Sequence, residues 1–284
     1  MRQIKKYFFI ISIIIICLLL IFIFLKTYQI GSAPLEEKDI KIFIVNLDRS
    51  TDRYNNISKQ FDNNNLSYER FSAVDGYNLS ITDTAGKRFT GLDVKNNPAL
   101  LSLDNGYTVL CPSENINYFS DSKILNHNLT AGELGCYCSH REIWLKMVRE
   151  NIPYALIIED DAILNDDFRN KFLTMLKHLP TDWDLIYLSL SHSKNKIFSN
   201  IYNNPYLKKI GHGGYFNTTI GYLIHLKAAQ KLLEYSKNFT LEIDNVMYQA
   251  FIHSEVQSYV TSHFLIHATL NSEDSIIFEM GRTH

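Results

Sequence analysis

The chain has 284 residues, 46% hydrophobic and 20% charged, which fits one domain of roughly 240–250 residues plus an appendage. Its formal net charge is −2, and since the four basic residues through Lys26 carry +4, the remainder carries −6; an acidic body with no basic block argues against nucleic acid as a partner. The four cysteines include no paired CxxC spacing, so no zinc site is readable.

Residues 1–6 form a short basic tail. Tyr7–Leu25 carries no charge and is nearly all Ile, Leu and Phe. Nineteen residues at ~1.5 Å each span ~28 Å, about one hydrocarbon core. A cleaved signal peptide is the rival, but the run exceeds an ordinary signal core, and Pro34 follows the small residues Gly31, Ser32 and Ala33. The segment reads as an uncleaved, single-pass anchor. Arg2, Lys5 and Lys6 precede it and only Lys26 follows closely, which places the N-terminus in the cytoplasm and the body across the membrane. Residues 26–39 read as a polar stem, and 40–284 as the folded domain.

Ile40–Leu47 is a β-branched apolar run and predicts the first strand. Ser50 or Asp52 then caps a helix with Tyr54, Ile57 and Phe61 on one face, and Tyr68–Val74 predicts a second strand closing on the Asp75-Gly76 turn. The three elements make a β-α-β unit with polar side chains collected at the strand ends. Arg49 and Arg53, one turn apart, are either a clamp for a diphosphate or plain surface arginines. Residues 77–129 have weak periodicity and two breaking prolines, Pro98 and Pro112, and read as a long excursion with short elements.

Order returns at Thr130, which with Glu133 forms a capping-box pair; Leu134, Tyr137, Cys138, Trp144, Met147 and Val148 then line a helix to about Glu150. Cys136 and Cys138 point in different directions on that helix and are not expected to bond each other. His140 and Arg141 sit in its middle, where a structural role is the ordinary expectation. Directly after the stop at Asn151-Ile152-Pro153 comes YALIIEDDAIL, residues 154–164. Its apolar run suits a buried strand and ends at three consecutive carboxylates, Glu159, Asp160 and Asp161. Adjacent acids repel one another and cost desolvation unless a cation or several donors sit among them. At the carboxyl end of a buried strand they lie where open α/β sheets bind ligands, and hard oxygen ligands suit Mg²⁺ or Mn²⁺ shared with substrate phosphates.

Asp166 or Asp167 caps the next helix, with Phe168, Phe172, Met175, Leu176 and Leu179 at helical spacing. Trp183–Ser191 predicts a strand led by Asp182 and Asp184. A polar loop follows with Lys194, Lys196, Lys208 and Lys209, closing on Gly211, Gly213 and Gly214. Thr219–His225 is a strand, Lys227–Tyr235 a helix, Glu242-Ile243-Asp244 the start of another, and Gln257–His267 the last strand, carrying His263 and His267. Six Asn-x-Ser/Thr sequons, at Asn56, Asn65, Asn78, Asn128, Asn217 and Asn238, are expected by chance in so Asn-rich a chain.

Together IVNLDRSTDR (44–53), FSAVDG (71–76), LTAGELGCYCSHREIW (129–144), ALIIEDDAIL (155–164), DWDLIYL (182–188), IGYLIHLKAAQKLL (220–233) and LEID (241–244) resemble family 25 of the glycosyltransferases, over roughly residues 40–277. The resemblance implies a GT-A-like fold with a mixed, mostly parallel central sheet. It also implies inverting transfer from a nucleotide sugar, commonly UDP-galactose, to a glycan, glycolipid or glycoprotein acceptor, with a divalent metal. EDD stands where such enzymes carry a DxD motif, with Glu159 and Asp161 at its outer positions as metal ligands. Asn46, Arg49, Arg53, Asp75 and Asp160 are the candidate donor contacts. Inversion needs a carboxylate to take the acceptor proton, and Asp244 and Asp184 are the candidates. A metal-dependent hydrolase on the same carboxylates and a tethered, non-catalytic sugar-binding protein are the competing readings.

Overall fold

Three apolar runs form the centre of the molecule because each is bounded by turn residues and is buried on both faces. The computed structural model describes residues 34–124, 128–189, 198–211 and 218–269. The expected anchor, residues 7–25, lies outside the described residues, as do Lys194, Lys196, Gly213 and Gly214. Among the described residues no helix is long and apolar enough to cross a membrane.

In chain order, β1 (Lys41–Asn46), α1 (Thr51–Asn63) and β2 (Glu69–Ser72) form the expected parallel β-α-β unit. Then follow β3 (Ser80–Asp83), β4 (Arg88–Thr90), α2 (Gly91–Asn96), β5 (Gly106–Leu110) and β6 (Asn115–Phe119). The long helix α3 (Ala131–Arg149) leads into β7 (Tyr154–Glu159), β8 (Ala162–Leu164) and α4 (Phe168–Leu176). The remainder is β9 (Leu185–Tyr187), β10 (Phe198–Ile201), β11 (Asn204–Ile210), β12 (Gly221–His225), α5 (Leu226–Tyr235), β13 (Asn238–Phe239), α6 (Ile243–Ile252), β14 (Ser258–Thr261) and β15 (Ile266–Ala268).

Eight strands form the main sheet in the order β10-β11-β14-β9-β12-β7-β1-β2. The fold is mixed α/β as expected, but the sheet is not mostly parallel. Only β1/β2, β1/β7 and β9/β14 pair in parallel, because β12 enters between β7 and β9 and runs against both. The basic loop is also not a loop where it is described: Lys208 and Lys209 belong to β11, in an antiparallel hairpin with β10 at the sheet edge. The predicted last strand is two. Its chain leaves the main sheet after Thr261, and β15 pairs instead with β8.

Residues 77–119 supply four strands of a second sheet, β13-β6-β5-β3-β4, that the weak periodicity hid, with β13 joining from later in the chain beside β6. Between the two sheets lies α3, buried nearly all round, so that Glu133, Ser139, His140, Arg141 and Glu142 are as covered as its apolar residues. Its capping box is present as expected, whereas Val148 is 39% exposed and lines no core. Arg141 is satisfied by Glu114 at 2.7 Å and the Leu233 carbonyl at 2.8 Å, and Glu142 accepts from Ser113, tying the helix to its surroundings on all sides. Cys111, just past β5, bonds Cys138 of α3 with Cα atoms 5.5 Å apart, leaving Cys136 the free cysteine among the described residues.

Two glycines permit this arrangement. A Cβ on Gly76 would stand 1.8 Å from the Ala131 carbonyl oxygen, and one on Gly135 would stand 2.7 Å from the Gly76 nitrogen. The 75–76 turn is therefore pressed directly onto the first turns of α3. Asp167, the residue before helix α4, adopts a left-handed conformation (φ 59°) and makes no side-chain cap, and the helix ends before Leu179.

Candidate active site

Strand register decides where the carboxylates go. Along β7, Ala155 and Ile157 pack into the core shared with α3, and side chains alternate with period two, so Glu159 also faces α3. There its Oε1 lies 3.1 Å from His140 Nε2 and 3.9 Å from Cys136 Sγ. The chain leaves the strand after Glu159, and Asp160 turns the other way, toward α1. Its Oδ2 accepts from Asn46 Nδ2 at 2.6 Å and its Oδ1 lies 3.1 Å from Arg53 Nη2. Arg53 also reaches Asp161 Oδ2 at 3.2 Å. The second Asp161 oxygen is buried and has no partner, and neither does Arg53 Nη1.

The electrostatics follow from this division. Burial acts to raise the Glu159 carboxyl, but the His140 hydrogen bond and charge, with help from Thr219 and Arg53, outweigh it and hold the group low. Burial pushes Asp160 up against the pull of Arg53 and Asn46. Asp161 is pushed up to about 7, by burial first and then by Glu159. It is a carboxylate short of positive charge.

An ionised Glu159 can only accept, so His140 presents an Nε2–H to it at 3.1 Å. The other ring nitrogen, Nδ1, shares a 2.8 Å hydrogen bond with the Tyr222 hydroxyl, whose oxygen also accepts from Trp144 Nε1 at 3.1 Å. All three supporting side chains are fully buried.

Asn46 ends β1, where its Oδ1 accepts from Arg70 while its Nδ2 holds Asp160. Arg49 pairs with Asp75 and lies over the Tyr77 ring, 5.2 Å from its centroid. Asp75 also caps the short 3-10 turn Gly76–Asn78 through the Tyr77 N–H. Asp244 lies in the first turn of α6 and accepts from the Asn245 N–H at 2.7 Å. Burial, then Glu242, then more weakly Glu159 and Glu133 push its carboxyl up to about 7.

The profile described as "Glycosyltransferase family 25 (LPS biosynthesis protein)" matches residues 39–247. The chain belongs to glycosyltransferase family 25. It is 31% identical over 226 residues to a glycosyltransferase 25 family member of Anopheles gambiae, covering 78% of this chain and 33% of that protein. It is 26% identical over 196 residues to procollagen galactosyltransferase 1 of Danio rerio, covering 68% of this chain and 28% of that one. The corresponding figures for procollagen galactosyltransferase 2 of Homo sapiens are 25%, 196 residues, 68% and 27%. The chain thus spans between about a quarter and a third of the length of the family 25 relatives it matches.

Within the family 25 region, the structure gathers Asn46, Arg53, Glu159, Asp160 and Asp161 at the carboxyl edge of the main sheet, with Arg49 and Asp75 paired nearby. Asp184 is not brought to that edge. It precedes β9, its carbonyl accepts from His225, and His225 stands opposite Tyr154, the first residue of β7. Its carboxylate is held by Lys231 at 2.8 Å and the Gln257 N–H at 3.0 Å. The sequence reading missed Cys136, His140, Thr219 and Tyr222. Only the i, i+4 spacing of Cys136 and His140 signalled that both share one helix face.

Proposed function

We propose that this chain is an inverting glycosyltransferase that moves a sugar, galactose by family kinship, from a UDP-sugar to an acceptor hydroxyl on a glycan, glycolipid or glycoprotein. The observation that carries this reading is the buried, unpartnered Asp161 oxygen at the carboxyl edge of the sheet in a family 25 chain. Asp161, with Asp160 beside it, fits a hard divalent cation, Mn²⁺ or Mg²⁺, because the group is otherwise costly to ionise; Glu159, the other expected ligand, is turned toward His140 and Cys136 by the strand's parity. When bound, such an ion neutralises the diphosphate leaving group.

The protein's own residues do the rest. Arg53 fixes the Asp160–Asp161 pair and keeps one unpartnered donor for a phosphate oxygen; Arg49 is held ready by Asp75. Asn46 orients Asp160. Asp244 takes the acceptor proton: a carboxyl raised to about 7 is a better base than an ordinary one and is still ionised in good part at neutral pH. The chain is anchored through residues 7–25, with the body across the membrane from a cytoplasmic N-terminus. The Cys111–Cys138 disulfide supports that placement, since such bonds persist in oxidising compartments.

The test is a panel of UDP-sugars offered to the purified full chain in detergent, with free UDP measured. Release that needs both Mn²⁺ and an acceptor sustains the proposal. Equal release without acceptor indicates a hydrolase, and donor binding without release indicates a binding protein.

A further inference from the structure

The division of the carboxylates leaves a cluster that sugar transfer does not use. Cys136 and His140 are one turn apart on α3, and Glu159 meets them from β7. We propose that Cys136, His140 and Glu159 form a separate site for a borderline-soft divalent ion of the Zn²⁺ type.

The ligand atoms all lie within 4.8 Å of one another, with Glu159 Oε1 3.1 Å from His140 Nε2 and 3.9 Å from Cys136 Sγ. A tetrahedral ion with bonds of ~2.0 Å to N and O and ~2.3 Å to S sets such atoms roughly 3.3–3.6 Å apart. The cluster therefore reaches that geometry by shifts of a few tenths of an ångström at these two edges. Sulfur and imidazole ligands select Zn²⁺ over Mg²⁺ or Mn²⁺, and three protein ligands leave a fourth position open. Support behind the ligands is in place. Tyr222 meets the far ring nitrogen of His140, and Trp144 fixes Tyr222, the kind of backing that orients ligating histidines. On binding, the Cys136 thiol proton is released to solvent, the ion takes the Nε2 position, and the proton displaced from Nε2 is rebound at Nδ1, which donates it to the Tyr222 oxygen. Asp161 and Asp244 add negative charge around Cys136.

The experiment uses the full chain in detergent with Cys17→Ser, so that Cys136 is the single free thiol once Cys111 and Cys138 are bonded. Co²⁺ is titrated as a spectroscopic stand-in, and alkylation of Cys136 is timed with and without Zn²⁺. The expected result is one equivalent of Co²⁺ with a thiolate-to-cobalt charge-transfer band, displaced by Zn²⁺, and a Cys136 protected from alkylation by Zn²⁺. Cys136→Ser loses the band. Asp161→Asn, which removes the ligand assigned to the hard cation, keeps it. The proposal is overturned by a Co²⁺ spectrum lacking the band, by an alkylation rate indifferent to saturating Zn²⁺, or by a band that survives Cys136→Ser. A band lost with Asp161→Asn overturns it as well, since the two ions would then be one. The alkylation measurement needs no ligand variant, so it decides the matter even if a substitution unfolds the protein. A chain with the Asp161 site intact that shows the band but transfers no sugar counts against the transfer mechanism alone.

Discussion

The Arg53 guanidinium sits 3.2 Å from one oxygen of Asp161 while the other oxygen of that carboxylate has no partner. One arginine is shared between Asp160 and Asp161, and burial keeps Asp161 near 7 in spite of it. Replacing Asp161 with Ala is expected to abolish Mn²⁺-dependent UDP binding and transfer, while the metal-free protein stays as stable as wild type or gains slightly. Calorimetric UDP titrations with and without Mn²⁺, beside thermal melts, check both halves. Normal binding of UDP and Mn²⁺ by Asp161→Ala sinks the metal assignment and the mechanism built on it.

Asp244 carries the proton-transfer step. Asp244→Asn is expected to leave UDP affinity nearly intact and to lower kcat by roughly 10²- to 10⁴-fold, the usual worth of a general base. A near-wild-type rate returns the residue to a plain first-turn carboxylate.

The same group makes a pH signature in stability. Its folded value, about 7, lies above the ordinary 3.8, so between the two the native state holds a proton that the unfolded chain has released. The contribution of Asp244 to the stability of the metal-free protein then falls as pH rises from about 4 to about 7. Denaturant midpoints across that window are expected to decline less steeply for Asp244→Asn. An unchanged slope means the carboxyl is not raised.

Gly76 is a steric prediction. A methyl there would meet the Ala131 carbonyl at 1.8 Å, backbone against backbone. Gly76→Ala is expected to lower stability by at least about 1–3 kcal/mol, the ordinary penalty of overpacking, and to displace Asp75 from Arg49. A melt within a degree of wild type removes the close approach from the argument.

The anchor is tested by fractionation. The full chain is expected to sediment with membranes and to resist alkaline carbonate extraction. A soluble chain, or one shortened by some thirty residues, contradicts it.

What could be read from the sequence was local. The β1–α1–β2 unit, the Thr130–Glu133 capping box and the strand before EDD declare themselves because turn residues and periodicity coincide within a few positions. The second sheet did not, since its strands in this region are short and exposed apolar residues, Leu110 ending β5 and Phe119 ending β6, break the alternation. Pairings between distant residues were illegible too. Cys111 finds Cys138, and Glu159 finds His140, only once α3 is laid between the sheets. The three carboxylates looked like one cluster; strand parity sends Glu159 one way and Asp160 the other. Asp184 looked like a base because it begins a strand, but which edge a strand begins at is a property of the sheet.

The Cys111–Cys138 bond spans 27 positions and encloses β6 and the first turns of α3. A protease that clips any peptide bond between 112 and 137 therefore yields two pieces that remain one covalent molecule. Such a clipped chain would migrate near its full mass in a non-reducing gel and separate into fragments only after a thiol is added.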